Sequence, residues 1–355
     1  MQEEHPLSTV DFTVIGTEPV GISVVEGNSQ RTLRFTPRKV HTVEAHVWRA
    51  VRRHSAELRQ LSAVETLALR DGKGKVAIHR GGGLGDVLLL TPGIHLLRRT
   101  FPEADIWVLT DARNERVFEH TGDASGVTDL MSSYDQAPFD AFVELAGYVE
   151  LAADQGVHRS DLFAQALGFT GAESYRMWYT VTDEDREGIV GLVPDVPYVL
   201  LQRSGHLPKR NFSQDKLQVL LGIITAAGRH CVVVDNDVST LPTTDGVTDL
   251  SGKTTVAQLG AVVERATVVV AFDSGVLHLA NALSRPTVGL FGPVAPDVRV
   301  KGQPNCHIIT GNGYVGCGPC NDEGCKHPVE GGHSRCLSAI PPERIAGMVN
   351  NLWAS

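Results

Sequence analysis

From Lys75 onward, short runs rich in Val, Ile and Leu alternate with longer segments of helical periodicity. The runs are KVAIH, ADIWVLT, FDAFVEL, YVLLQ, HCVVVD, TVVVAF and PTVGLFG, and the helical segments include DVLLLTPGIHLLRRTF, DKLQVLLGIITAAG, TVAQLGAVVERA and SGVLHLANAL. Apolar strands that alternate with helices predict parallel sheets covered on both faces. Two such series predict an α/β protein with two doubly wound domains. Because such sheets bind ligands beyond the carboxyl ends of their strands, we expect chemistry in a cleft between the domains.

The residues before this alternation predict a small N-terminal α+β module. Strand-like runs DFTVIG, GISVVEG and RTLRFTP precede a predicted helix, TVEAHVWRAVRRH, with Thr42 as its N-cap. Eight Lys or Arg residues lie between Arg31 and Arg59 against two acids. A solvated helix face explains this surplus better than a docking patch for an acidic partner, which is the alternative. The predicted domains are an accessory module at 1–71 and two Rossmann-like domains at 72–192 and 193–355.

Composition narrows the classes of protein. With 355 residues, 42% of them hydrophobic, the chain can bury a substantial core. The formal net charge of -9 argues against a general nucleic-acid binder. No apolar segment approaches the length of a membrane span, and the N-terminus MQEEHPLSTVDF is acidic where a signal peptide is basic and then apolar. We therefore expect a cytoplasmic protein.

A glycine turn, HRGGGLGDVLLL, connects the first apolar run to a helix. Its spacing is not that of the dinucleotide fingerprint, which needs glycine at the position of Asp86, and no G-K-[ST] follows for a P-loop. Because Asp86 at the helix N-terminus would repel a phosphate, the turn, with Gly83 and Gly85, is predicted to bring the backbone close to an uncharged ligand group, and Asp86 is placed to accept a proton. Alternatively, Asp86 is an ordinary helix cap.

A second motif, VVVAFDSGVLHLANALSRPTVGLFGP, places Asp273, Ser274 and Gly275 between a strand and a helix, with His278 one turn further. Small residues leave backbone N–H groups accessible at the helix N-terminus, which favours an anion such as a diphosphate. The alternative is that Ser274 is an ordinary cap and His278 a buried structural histidine.

Both motifs resemble glycosyltransferase family 9, the ADP-heptose:lipopolysaccharide heptosyltransferases. HRGGGLGDVLLLTPGIHLLRRTFPEADIWVLT is similar to the N-terminal signature of that family, and the stretch from DLSGKTTVAQ to LFGP is similar to its donor-site signature. LPKRNF occupies the position of a Lys-Arg-aromatic motif. The similarity covers about residues 75–353 and includes several motifs in the family's order.

The resemblance implies a GT-B fold, in which two Rossmann-like domains face a cleft. It makes 72–192 the acceptor-side domain and 193–355 the donor domain, and it implies an inverting transfer of a sugar, heptose favoured. By this resemblance Asp86 is the general base, Lys209 contacts the donor phosphates, and the donor is a nucleotide diphosphate sugar, with ADP-heptose favoured. The implied donor-binding residues are Gly83, Gly85, Asp273, Ser274, Gly275 and His278. The acceptor is a hydroxyl of a glycan or protein, and no catalytic metal is expected.

Two other functions stay open at this point. One is a nucleotide-sugar 2-epimerase, which has the same architecture, and the other is a non-catalytic module that binds a sugar nucleotide or a partner. Residues 1–71 are a candidate surface for homo-oligomer formation or partner docking.

One short motif suggests a metal instead. Asp235-Asn236-Asp237 is a formal D-x-D, which holds a divalent cation in the other major glycosyltransferase fold. Directly after a strand, such residues more often form a turn, and this interpretation is favoured here.

Four of the six cysteines lie near the C-terminus, as Cys317, Cys320, Cys325 and Cys336, with the spacing C-x2-C-x4-C-x10-C. Four thiols on a Gly- and Pro-rich loop predict a structural zinc or iron site, with His327 or His333 as possible substitutes for one thiol. The resemblance supports iron as well, because autotransporter heptosyltransferases bind iron through cysteines. The alternative is a set of reduced surface thiols. Cys231, in an apolar run, is predicted to be packed core.

Overall fold

The structure is a computed structural model that describes residues 9–14, 20–26, 29–35, 40–44, 58–129, 139–145, 156–205, 213–238, 241, 244–320, 325, 328–329 and 333–354. Contacts between Cα atoms divide the chain into two compact units. The first unit comprises Met1–Gly82, Gly93–Val149 and Asp161–Ala172, and the second comprises Gly83–Pro92, Glu150–Ser160 and Glu173–Ser355. The predicted domain boundaries at residues 71 and 192 remain a prediction.

The first unit begins with antiparallel strands. Strands β1 (Thr9–Val14), β4 (Val40–Glu44) and β5 (Leu58–Gln60) form a sheet in the order β4-β1-β5, and β2 (Val20–Glu26) pairs with β3 (Ser29–Phe35). The strands predicted from DFTVIG, GISVVEG and RTLRFTP are confirmed as β1, β2 and β3.

The helix predicted to begin at Thr42 is wrong at its start. Thr42 lies opposite Asp11 and Val43 opposite Val10 in the β4–β1 ladder. Pairing with β1 uses backbone groups that a helix would need, and β-branched residues suit that strand. The remainder of the predicted helix, 45–54, lies outside the described residues.

A four-stranded parallel sheet follows in the first unit. Its strands, in the order β8-β7-β6-β9, are β6 (Lys75–His79), β7 (Asp105–Thr110), β8 (Gly126–Asp129) and β9 (Ala141–Glu144). The accompanying helices are α1 (Ala63–Leu69), α2 (Leu84–Thr100), a 3-10 helix (Ala112–Val117) and α3 (Arg159–Leu167). The first residues of α2 and α3, within Gly83–Pro92 and Glu150–Ser160, are assigned to the second unit. Val76, Ala77 and Ile78 are fully buried, as expected for an inner parallel strand.

The second unit contains a six-stranded parallel sheet in the order β12-β11-β10-β13-β14-β15. Its strands are β10 (Tyr198–Gln202), β11 (His230–Val234), β12 (Val247–Asp249), β13 (Val268–Phe272), β14 (Thr287–Phe291) and β15 (Cys306–Thr310). The chain order reverses between β10 and β13. The carboxyl ends of these two strands therefore mark the switch point, where doubly wound sheets bind ligands.

The helices of the second unit include short connectors and longer packing helices. They are α4 (Asp183–Glu187), α5 (Gln214–Ala226), α6 (Val256–Arg265), α7 (Gly275–Ala282), α8 (Asp297–Val300), α9 (Asn312–Val315), α10 (Arg335–Ala339) and α11 (Pro342–Trp353). The predicted alternation from YVLLQ to PTVGLFG is confirmed element by element.

Helices α5 and α11 enclose the core of the second unit. Leu217, Leu220 and Ile224 of α5 and Val349 of α11 belong to one buried cluster with β10, β11 and β13. Lys216 of α5 donates a hydrogen bond to the carbonyl oxygen of Ile340, at 2.8 Å, and burial lowers the pKa of its ammonium group. Within the part of the chain that the structure describes, no helix has the length and apolar character needed to cross a membrane.

Candidate active site

The glycine turn after β6 is fixed by residues of its own unit. Gly82 has φ +108°, a conformation that favours glycine. Its N–H donates to Asp111 Oδ2 at 2.8 Å, and its carbonyl oxygen accepts a hydrogen bond from Asn114 Nδ2 at 2.9 Å. Because these groups are satisfied internally, this part of the turn does not form a phosphate cradle.

The two sequence motifs come into contact within the second unit. A Cβ added to Gly85, in the first turn of α2, would lie 2.8 Å from His278 Cδ2 and 3.5 Å from the Gly275 nitrogen. A Cβ added to Gly275 would lie 2.9 Å from Leu84 Cβ. Glycine is therefore required on both sides, and the N-terminal turns of α2 and α7 meet. Each helix N-terminus carries a partial positive charge, so this contact favours an anion.

Asp86 forms an ion pair with Arg159, the first residue of α3. The Asp86 side chain is 19% exposed and lies in the first turn of α2, where the helix dipole favours a carboxylate. Arg159 lies in the same unit as Asp86. Sequence reasoning missed it, because a lone arginine at a helix start carries no pattern of its own.

A buried polar cluster surrounds the start of α7. Asp273 Oδ1 lies 3.8 Å from His278 Nε2 and 3.5 Å from Arg299 Nε, and all three residues are buried. Burial lowers the pKa of His278 to about 3, and this effect outweighs the opposing charge of Asp273. Arg299, His158 and Arg159 lower it further, so that His278 is neutral at pH 7. Arg299 and His158 were not predicted from the sequence.

Ser274 occupies the N-cap position of α7 without capping it. Its side chain makes no hydrogen bond to the helix backbone. Instead, Ser274 Oγ donates to Gln202 Oε1 at 2.6 Å. Gln202 is a further residue that the sequence did not identify. The available signal was its position as the last residue of β10, at the switch point.

Asp235 of the D-x-D motif is occupied by protein partners. Its Oδ2 lies 2.8 Å from Arg203 Nε and accepts a hydrogen bond from Ser204 Oγ at 2.6 Å. Its Oδ1 accepts one from the Asn236 N–H at 2.7 Å. These contacts agree with the turn interpretation that the sequence favoured.

The cysteine loop is only partly described. Cys336 is buried, Cys317 and Cys325 are partly exposed, and Cys320 is exposed. Burial is the main cause that raises the pKa of the Cys336 thiol, and the nearby Cys317 and Cys325 raise it further. All four cysteines are described, and among the described residues no group of three or more His, Cys, Asp or Glu side chains is placed to hold a metal ion. His327 lies outside the described residues.

The predicted site residues thus have different outcomes. The structure brings Gly85, Gly275 and His278 into contact, with Asp273 beside His278. Lys209 lies outside the described residues, so its predicted role remains a prediction. Cys231, predicted to be packed core, is fully buried, and burial raises the pKa of its thiol to about 12.

Part of the chain is similar to known proteins of one family. The sequence model described as "Glycosyltransferase family 9 (heptosyltransferase)" matches residues 209–329. The resemblance to glycosyltransferase family 9 is confirmed. Lipopolysaccharide heptosyltransferase 2 of Escherichia coli is 24% identical over 221 residues, which cover 58% of this chain and 60% of that protein. Lipooligosaccharide heptosyltransferase 2 of Haemophilus influenzae is 40% identical over 111 residues, which cover 30% of this chain and 29% of that protein. The chain therefore spans less than two thirds of these family 9 relatives.

Solved structures confirm the predicted GT-B fold. A family 9 glycosyltransferase from Veillonella parvula superposes with a TM-score of 0.62 at 16% identity, covering 79% of this chain and 97% of that one. ADP-heptose lps heptosyltransferase II of E. coli superposes with a TM-score of 0.61 at 14% sequence identity, and the match covers 79% of this chain and 98% of that one. The iron-containing dodecameric glycosyltransferase TibC of enterotoxigenic E. coli superposes with a TM-score of 0.63 at 16% sequence identity, and the match covers 86% of this chain and 84% of that one. At these identities the likeness shows the fold.

Gly85→Ala tests the contact between the motifs. We expect it to lower the free energy of unfolding by about 1–3 kcal/mol, because the new methyl group would overlap His278. Gly83→Ala is the matched control, since a Cβ there meets no described atom within 4 Å. Urea denaturation of both variants measures the difference, and equal stabilities would contradict the observed contact.

The burial of His278 predicts how the stability of the protein depends on pH. Because its pKa is about 3 in the folded protein and about 6.5 in the unfolded chain, the unfolded chain binds one more proton between these values. The free energy of unfolding should therefore fall as the pH falls from about 6.5 towards 3. In His278→Gln the slope of the free energy of unfolding against pH should be smaller, by the amount that corresponds to the uptake of about one proton. The exposed His307→Gln is the control, and identical slopes in denaturation series across pH would contradict the assignment.

Proposed function

We propose that this protein is an inverting glycosyltransferase that moves a sugar, heptose favoured, from a nucleotide diphosphate sugar to an acceptor hydroxyl on a glycan or protein. ADP-heptose is the favoured donor. The observation that carries the proposal is the contact of Gly85 with Gly275 and His278, because it joins the two motifs that resemble the family's base and donor signatures. Neither the 2-epimerase nor the non-catalytic module is favoured by the matches.

The donor diphosphate would bind at the first turn of α7. The N–H groups of this turn lack a side-chain cap, and the N-terminus of α2 adds its partial charge. Negative charge grows on the diphosphate as its bond to the sugar C1 breaks, and fixed N–H groups stabilise such charge without a metal. Family resemblance assigns Lys209 to the same phosphates.

Asp86 would act as the general base. Its carboxylate takes the proton of the acceptor hydroxyl while the hydroxyl oxygen attacks C1 and the nucleotide diphosphate leaves. Attack opposite the leaving group inverts the anomeric centre. The ion pair with Arg159 holds the Asp86 carboxylate at the first turn of α2, where the resemblance places the base.

We also propose that Cys317, Cys320, Cys325 and Cys336 hold one structural zinc or iron ion. Support comes from the spacing of the four thiols on a Gly- and Pro-rich loop. Four thiolates leave no coordination position for substrate, so the ion would stabilise the loop without taking part in transfer.

Two further proposals concern the surroundings of the enzyme. One is the cytoplasmic location that the sequence analysis leads us to expect. Residues 1–71 are the proposed surface for homo-oligomer formation or partner docking, outside the segment that matches the family model.

The direct test is transfer of a sugar. Purified protein is incubated with ADP-heptose or other nucleotide sugars and with candidate glycan and protein acceptors, and intact masses are recorded. We expect one acceptor class to gain the mass of a single heptose residue with ADP-heptose. Release of free nucleotide diphosphate with no acceptor modified, or no reaction with any donor, would reject the transferase.

Asp86→Asn should lower the transfer rate at least about a hundredfold, because an amide cannot take the proton. ADP affinity should change little. Asp215→Asn is the matched control, since Asp215 is also in the first turn of a helix but is exposed. A loss of less than about tenfold in steady-state turnover would remove Asp86 from the role of base.

Metal content tests the cysteine proposal. Protein purified without added ions should contain close to one equivalent of zinc plus iron, and less than about half an equivalent would refute the site. Cys320→Ser should lower the melting temperature of the metal-loaded protein only, because the Cys320 side chain is exposed and its N–H bond to Pro293 does not need the thiol. After chelation, variant and parent should melt together.

A further inference from the structure

Gln202 lies at the carboxyl end of strand β10, next to the proposed donor site at the start of α7. It is the last residue of β10 and is only 9% exposed. Its neighbour strand β13 ends at Phe272, directly before the Asp273-Ser274-Gly275 turn. Gln202 belongs to neither family motif.

Three hydrogen bonds fix the orientation of the Gln202 amide. Its Oε1 accepts from the Phe272 N–H at 3.3 Å and from Ser274 Oγ at 2.6 Å. Its Nε2 donates to the Ser204 carbonyl oxygen at 2.6 Å. Reversing the amide would place an NH₂ group against the Phe272 N–H and an oxygen against a carbonyl, so the assignment is unambiguous.

Ser274 is consequently diverted from its ordinary role. Serine at an N-cap normally accepts a hydrogen bond from the N–H of the second or third helical residue, here Val276 or Leu277. Ser274 has the extended backbone of an N-cap, with φ -161° and ψ 174°, but its side chain makes no such bond. Among the described residues, no oxygen accepts from the N–H of Val276 or Leu277.

We propose that Gln202 is a positioning residue that holds Ser274 Oγ away from α7 and so keeps the N–H groups of Val276 and Leu277 available for the donor diphosphate. The inference rests on the proposed function only for the identity of the ligand. The competition between Gln202 and the helix for the Ser274 hydroxyl is a property of the protein itself.

Amide hydrogen exchange tests the competition without ligand. In Gln202→Met, the released Ser274 hydroxyl should cap the helix and slow exchange at Val276 and Leu277. In Gln202→Met/Ser274→Ala, exchange should return to the parent rate, which a general loosening of the fold would not produce. Unchanged exchange in Gln202→Met, or slow exchange that persists in the double variant, would overturn the proposal.

The single variant Ser274→Ala gives a test that does not depend on whether Gln202→Met folds correctly. Ser274→Ala alone should leave exchange at Val276 and Leu277 unchanged, because Ser274 does not cap α7 in the parent protein. Faster exchange in this variant would show that Ser274 is a cap after all and would overturn the proposal. Protection of the buried amides of β10 and β13 serves as the control for folding.

Calorimetry with ADP as the probe separates this proposal from the proposed function. Gln202→Met should weaken ADP binding about fivefold, the typical worth of an N-cap. The same change in the Ser274→Ala background should leave ADP affinity unaltered. If the parent protein does not bind ADP but exchange changes as expected, the donor assignment fails while the role of Gln202 stands. Equal losses of ADP affinity in both backgrounds would contradict that role.

Discussion

The close approach of two backbone turns organises the second unit. Gly85 of α2 and Gly275 of α7 leave no room for a Cβ on either side, and His278 fills the space next to Gly85. Any side chain at these positions would push the helix N-termini apart. Since the partial charges of both helices act over about one turn, the electrostatic character of the site depends on this contact. Asp86 and Asp273 are placed by the same two turns.

Charge that is buried or partly buried at this place is costly unless it is paired. Asp273 lies beside Arg299, Asp86 is paired with Arg159, and His278 avoids the cost by remaining neutral. Apolar residues would fill the same space without the free-energy cost of desolvating charged groups. The presence of two ion pairs and a neutral histidine beside the contact of α2 with α7 is therefore better explained by ligand binding than by stability.

Features encoded by local pattern could be predicted from the sequence, and features that depend on distant contacts could not. The apolar strands, their helices and both glycine motifs have a period or a spacing. Arg159, Arg299 and Gln202 have none, because each matters through a partner far away in the chain. The same limit explains the error at Thr42, where pairing with β1 overrides the helical pattern. Asp235 shows the intermediate case, in which Arg203 and Ser204 decide between two readings of one motif.

The packing of α11 onto α5 has a consequence for biosynthesis. Strand β10 and helix α5 leave the ribosome long before residues 342–353, yet Val349 completes the buried cluster that contains Val199 and Leu217. Such non-local cores form slowly, and their apolar faces stay uncovered while they wait. The apolar face of α5 in the nascent second unit therefore stays exposed until residues 342–353 have been synthesised.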